Sequence, residues 1–328
     1  MRSDAIGRAV FVHETGGPEV LRVAAHDPGE PGPGAVQVRL AAAGVNFIDV
    51  YFRTGLYPRP LPFVQGLEGA GVIEAVGPDV SRFDIGDRVA WAGVPGSYAE
   101  RLNAPADRVI RVPEGVSDTQ AAAVLLQGMT AHYLAHGVRE TQADDVALVH
   151  AAAGGTGLLL VQTLSRAGAT VIGTCSTPEK AALALSAGAE HVIRYTDADF
   201  SEEVRRLTDG RGADVVYDSV GRATFEGSLR SLRPRGLMAL FGQSSGPVPA
   251  FDLQELNRLG SIFITRPSLA HYTSDRAELE QRAGAVLGAV ARAELEVRIG
   301  AEFPLADAAD AHRALEGRRT TGKVLLRP

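Results

Sequence analysis

The residues with the plainest chemical use lie between Val146 and Gly157. An apolar run, Val146 to His150, leads into Ala151-Ala152-Ala153-Gly154-Gly155-Thr156-Gly157, and a helix-forming stretch follows at once. Set against Gly-x-Gly-x-x-Gly, Ala152 takes the first position, Gly154 the second and Gly157 the third. The second glycine lets the backbone approach a pyrophosphate, and the third lets the helix pack on the strand. The helix N-terminus after Gly155 and Thr156 then offers unpaired N–H groups to an anion. Ala152 in place of a glycine is expected to loosen the turn.

A dinucleotide site reads its adenine ribose at the end of the next strand, where an Asp or Glu usually bonds the hydroxyls. Here that strand ends Thr174-Cys175-Ser176-Thr177, without an acid, so nothing would repel a 2′-phosphate. Thr177 suits an N-cap and Pro178 the first helical position. Lys180 then falls in the first turn, where a cation is unfavourable unless an anion is near. It either pairs with Glu179, points to water or answers a 2′-phosphate. The missing acid favours the last, and so NADPH over NADH.

Other candidates are less marked. Asn46 reads as the N-cap of a short helix holding Phe47, Val50 and Tyr51 on its core side, with Asp49 and Arg53 as a surface pair. Tyr57 sits in a Gly-Leu-Tyr-Pro turn. The eight histidines are scattered. His132 and His136 are one helical turn apart but have no evident third ligand, so no metal site is expected. The single Cys175 rules out an intramolecular disulfide and a four-cysteine zinc site.

The surrounding elements form two textures. The first part is β-rich, with Ala9 to His13, Val36 to Ala43, Gly66 to Val76 and Arg88 to Trp91 as strands between glycine and proline turns. That spacing suggests a small barrel or sandwich. Thr119 to His136 reads as a helix interrupted at Gln127-Gly128-Met129-Thr130. From Asp144 strand and helix alternate, which implies an α/β, doubly wound parallel sheet of six strands. The last segment holds a long helix, a short one and a closing strand, Lys323 to Leu326, expected to return to the first domain. A length of 328 residues suits two domains. A net charge of −6 gives no global field for nucleic acid or anionic membranes. No apolar run reaches the roughly 18 residues of a membrane helix. Without an apolar signal segment at Met1 to Ile6, a cytoplasmic protein is expected.

Assembled, these residues resemble the bacterial quinone oxidoreductases, the zeta-crystallin type of the medium-chain dehydrogenase/reductase superfamily, nearly end to end. The likeness is carried by Gly16-Gly17-Pro18-Glu19-Val20-Leu21, Gly44-Val45-Asn46-Phe47-Ile48-Asp49, Arg53-Thr54-Gly55-Leu56-Tyr57-Pro58, His150-Ala151-Ala152-Ala153-Gly154-Gly155, Val216-Tyr217-Asp218-Ser219-Val220-Gly221 and Thr265-Arg266-Pro267-Ser268-Leu269. The resemblance implies a GroES-like domain from residues 1–127 and 268–328, a Rossmann NADPH domain from 128–267, a cofactor cleft between them, and a homodimer through the Rossmann sheets. It implies that Asn46 and Tyr51 line the nicotinamide side and that Lys180 and Tyr195 contact the 2′-phosphate, with Arg318 a further basic contact. Tyr195 read alone would be a strand-end ring, and Arg318 a solvated charge. Ser219, Phe241, Gly242 and Ser268 would border the cofactor, as would Thr130 and Ser176. Zinc-dependent relatives carry Gly-His-Glu and a ligating Cys. Here Gln65-Gly66-Leu67-Glu68-Gly69 puts Leu67 at the histidine, and no Cys lies near Asn46. Thr156 stands where valine is usual and Gln127 where lysine is common.

The activity so implied is metal-free electron transfer from NADPH to a quinone or other small apolar acceptor. Tyr51, Tyr57 and ordered water are the candidate proton donors. A second reading is reduction of an activated C=C bond in an alkenal or enone. A third, from another class, is a crystallin-like structural or RNA-binding protein. Against it stand the acidic balance and the cofactor loop.

Overall fold

The computed structural model describes residues 6–328. The chain divides into two compact units. One runs up to Met129 and resumes over Thr273–Pro328, and the other is Thr130–Tyr272.

The first unit is the β-rich one. Its long strand Ala35–Val45 pairs on both edges, and along it Val36, Val38 and Leu40 turn inward while Arg39 stays out. A seven-stranded sheet forms around it, with Glu68–Val76 and Arg88–Ala92 on one flank and Lys323–Arg327 on the other. The closing strand runs antiparallel, with Val324 opposite Val45. Trp91 and Tyr98 are fully buried in this core. A separate three-stranded sheet holds Leu21–His26, Gly7–Val12 and Phe63–Val64.

Several strands of this unit leave little trace in the sequence. Leu21–His26 buries only its first residue, so it shows no alternation. Ile299–Pro304 contains Gly300 and Ala301 rather than a β-branched run. The expected interruption at Gln127 to Thr130 is absent, since the helix Asp118–Tyr133 passes through it unbroken. Gly128 is there for contact: a Cβ would lie 2.6 Å from Val286 Cγ1 on the helix Arg276–Ala291.

In the second unit six strands form one wholly parallel sheet. Its order is His191–Arg194, Thr170–Cys175, Val146–Val149, Ala213–Asp218, Leu232–Leu240 and Phe263–Thr265. The central strands are buried on both faces, which is why they read as continuous apolar runs. The order steps outward in both directions from Val146–Val149, the switch point that places ligands beyond the carboxyl ends of the strands. This is the expected pairing of a GroES-like β domain with a doubly wound Rossmann sheet. Among the described residues no helix is long and apolar enough to cross a membrane.

Candidate cofactor and acceptor site

The phosphate loop joins Val146–Val149 to the helix Gly155–Arg166, with Gly154 as N-cap. It is tight. Ala152 N donates to Thr174 O at 3.0 Å and Gly154 N to Ala151 O at 2.8 Å. The expectation that Ala152 loosens the turn is corrected, because its methyl fills the space opposite Gly173, whose own Cβ would come within 2.8 Å. The strain falls instead on Ala151, held at φ 51°. The two motif glycines do different work. A Cβ on Gly157 would stand 2.3 Å from Ala151 O, so the helix could not sit where it does. A Cβ on Gly154 would meet only Ala151 O, at 3.1 Å, and otherwise faces open space. Gly157→Ala should therefore lose about 1–3 kcal/mol in thermal unfolding. Gly154→Ala should melt like the parent but bind dinucleotide weakly in calorimetric titration. Equal melting of both variants would contradict this division.

At the next strand end the register sets Cys175 beside Arg194. Tyr195 N then donates to Cys175 O at 3.2 Å, and Thr196 Oγ1 to Ser176 O at 3.4 Å. Ser176 and Tyr195 thus stand side by side, with the Tyr195 ring 41% exposed. Thr177 caps the helix Pro178–Ser186 by accepting from Lys180 N. Lys180 and Arg194 both pull the buried Cys175 thiol down, although burial prevails and leaves it raised. Arg194, which sequence reading passed over, pairs with Asp197 at 2.6 Å. The carboxylate in this corner is thereby matched by a guanidinium.

Ser219, Phe241 and Gly242 meet at the ends of Ala213–Asp218 and Leu232–Leu240. Phe241 N donates to Asp218 O at 2.9 Å, and a Cβ on Gly242 would lie 2.4 Å from Ser219 O. Beneath them is a buried network that sequence reading missed. Asp218 Oδ1 accepts from Val220 N and Gly221 N at 2.7 and 3.0 Å, and Oδ2 from Thr224 Oγ1 and Ser228 Oγ at 2.7 and 2.8 Å. His150 lies 2.9 Å from both Ser228 Oγ and Thr174 Oγ1. Since Ser228 donates to Asp218, it accepts from His150 Nε2, which assigns the tautomer. Burial lowers the His150 pKa, so the neutral ring bridges Thr174 near a strand end and Ser228 on the helix Phe225–Ser231. Ser268 is exposed beyond Phe263–Thr265, where Arg266 donates to Leu240 O at 3.0 Å. Thr130 is buried on the helix Asp118–Tyr133.

The remaining candidates belong to the first unit. Asn46 caps the helix Phe47–Arg53 through a capping box with Asp49. Tyr51 on that helix meets Tyr57 edge-on at 5.2 Å, and Tyr57 N donates to Tyr51 O. The expected surface pair of Asp49 and Arg53 is corrected: both are buried, and they take different partners. Asp49 Oδ2 accepts from Asn46 N at 2.9 Å and from Tyr98 OH at 3.0 Å. Among the described residues its Oδ1 has no partner, and burial lifts its pKa to about 7. Arg53 reaches Glu316 through two bonds of 2.8 Å. Around Asn46 there is a second group invisible in the sequence. Lys323 Nζ donates to Asn46 Oδ1 at 2.8 Å and to Glu68 Oε2 at 2.5 Å, and Asn46 Nδ2 donates to the same Glu68 oxygen at 2.9 Å. Gln127 Nε2 approaches Asn46 Oδ1 at 3.4 Å. Arg318 is exposed in this unit, just after the helix Ala308–Glu316.

Comparison with known proteins agrees with this geometry. Residues 32–114 match the alcohol dehydrogenase GroES-like domain and residues 155–279 the zinc-binding dehydrogenase family. A quinone oxidoreductase of Pseudomonas aeruginosa is 46% identical over 95% of this chain and 97% of its own length. The chain belongs to the quinone oxidoreductase family of the medium-chain dehydrogenase/reductase superfamily. Another member of this quinone oxidoreductase group, from Escherichia coli and solved with NADPH, superposes with a TM-score of 0.96 at 43% identity, covering 98% of this chain and all of that one. A 2-haloacrylate reductase of Burkholderia is 43% identical over 98% of both chains.

The zinc in the one family's description does not suit the residues of this chain. Leu67 contributes no donor, and Asn46 and Glu68 are already bonded to an ammonium. Among the described residues no three His, Cys, Asp or Glu side chains gather to hold a metal.

Proposed function

We propose that this protein reduces quinones with NADPH. The observation that carries the reading is the adenine-ribose corner. Ser176, Lys180, Arg194 and Tyr195 lie around two adjacent strand ends, and the carboxylates near them are engaged, Asp197 with Arg194 and Glu179 with Thr177. A helix N-terminus with an open glycine at Gly154 fits the pyrophosphate. NADPH supplies the reducing electrons, and the chain binds and orients it. Asn46 and Tyr51 serve the nicotinamide side. Tyr57 and the neighbouring aromatic rings give an apolar quinone a surface to stack on. The relative solved with NADPH supports the cofactor, and the quinone oxidoreductase relatives support the acceptor.

Calorimetry with NADPH and NADH tests the cofactor reading. NADPH should bind more tightly, and Lys180→Ala should weaken NADPH by about 10- to 100-fold, the worth of one charge-assisted phosphate bond, while sparing NADH. NADH binding as tightly as NADPH would sink the proposal. The 2-haloacrylate reductase relative favours a second reading, reduction of an activated C=C bond. NADPH oxidation measured with a quinone panel beside haloacrylates and enones separates the two. A homodimer completes the reading. Phe263–Thr265 is an edge strand with Phe263 60% exposed, suited to pairing with a second copy. Light scattering at the mass of one chain would refute that.

A further inference from the structure

Lysine is seldom buried, yet Lys323 is 1% exposed and its ion-pair partner Glu68 is fully enclosed. Taking both charges out of water is costly, and well-packed apolar residues would stabilise the same place equally well or better. The charges add orientation. Asn46 Oδ1 must face the ammonium and Asn46 Nδ2 the carboxylate, so the amide cannot turn over. Glu68 is itself fixed from the other side, where Oε1 accepts from Leu126 N at 2.7 Å. The strand end is shaped around this carboxylate, since a Cβ on Gly44 would fall 2.3 Å from Glu68 Oε2. The same Asn46 begins the helix Phe47–Arg53 through its N–H to Asp49, and Tyr51 stands one turn along it.

We propose that Lys323, held by Glu68, is a positioning residue for the acceptor side of the reaction: its ammonium fixes the Asn46 amide and the start of the helix that carries Tyr51. It is a built-in cation in a chain whose donor set does not suit zinc, and it acts through Asn46 rather than on the substrate. The inference rests on the reading of Asn46 and Tyr51 given above.

The test compares the full-length protein with Lys323→Met, Glu68→Gln/Lys323→Met and Asn46→Ala, by thermal unfolding and by kcat and KM for NADPH-dependent quinone reduction. Lys323→Met strands the Glu68 carboxylate and should both melt earlier and lose on the order of 10- to 100-fold in kcat/KM, the scale of a small misplacement. The double variant removes both charges and should regain the parent's melting temperature while keeping the kinetic loss. If activity returns with stability, the cluster is only structural and the proposal is overturned. Should Lys323→Met fail to fold, the double variant decides alone. If Asn46→Ala reduces quinone like the parent, the site reading itself fails. If Asn46→Ala is slow and the double variant is not, only this inference does.

Discussion

Asp218→Ala should melt far below the parent and bind no NADPH at concentrations that saturate the parent. The carboxylate is fully buried and accepts from two backbone amides and two hydroxyls. Alanine leaves Val220 N, Gly221 N and Ser228 Oγ without this acceptor, each at about 1–3 kcal/mol, while Thr224 Oγ1 keeps Gly221 O at 3.1 Å. Neighbouring losses do not add in full. A total near 4–5 kcal/mol, the upper end for single substitutions, is expected. The binding loss follows from geometry. Val220 N and Gly221 N hold the turn after the strand, and Ser219 in that turn packs against Gly242. Asp218→Asn should be much milder, because its amide oxygen still accepts from both backbone groups and its nitrogen can donate to Ser228 and Thr224. Differential scanning calorimetry and NADPH titration read both effects. An alanine variant that melts with the parent would show that the network does not hold the loops.

The second large effect is expected at Arg53. Its guanidinium is 1% exposed and spans Glu316, Gly16 O and His312 Nδ1. Arg53→Met leaves Gly16 O and His312 Nδ1 without the guanidinium, while Glu316, 33% exposed, is rehydrated, so a loss of about 1–3 kcal/mol in the first unit is expected. Urea unfolding measures it, and a change below roughly 1 kcal/mol would contradict the assigned role. The same cluster predicts how stability follows pH. Burial, reinforced by Arg53, holds His312 down to about 3. Its unfolded form takes up a proton near 6.5, so His312 withdraws stability as pH falls from there toward 3. Asp49 acts in the opposite sense. Burial lifts it to about 7 against Tyr98 and Lys323, with Glu68 adding to the rise. The native state therefore holds that proton longer than the unfolded chain, and stability drops as pH climbs from about 4 to 7. Between about 4 and 6.5 the two slopes oppose each other. His312→Gln should remove one of them and turn a shallow profile into a steady fall of melting temperature across that range. An unchanged profile would mean that His312 titrates normally.

The phosphate loop was legible because its chemistry is local. Glycines, an apolar strand and a helix start lie within a dozen residues, and short-range sterics dictate what they do. The pairing of Ser176 with Tyr195 was half legible: the absent acid could be read, but the register that joins two strand ends could not. Asp49 and Arg53 show why reading fails elsewhere. Their spacing on an isolated helix predicts a surface pair, yet Tyr98 and Glu316, distant in sequence, claim them. Asp218 and His150 lay inside recognised strings, but a buried acceptor's partners depend on packing. A signal for Glu68 and Lys323 did exist. Each is a charge at the head of a short apolar run, Glu68-Gly69-Ala70-Gly71-Val72 and Lys323-Val324-Leu325-Leu326, with the strand's other charge, Glu74 or Arg327, beyond that run, and a charge inside a core strand needs a counterpart.

Lys323 and Asn46 are 277 positions apart. At a synthesis rate of about 5–20 residues per second, roughly 14 to 55 s separate their emergence from the ribosome. Only for the last roughly 3 to 10 s, after Tyr272 has emerged, does the contiguous stretch Thr130–Tyr272 have every strand it needs, while the earlier unit still lacks its closing strand and the counter-charge for Glu68. Translation order therefore favours maturation of Thr130–Tyr272 first, and leaves the other unit dependent on the strand Lys323–Arg327, which emerges after it.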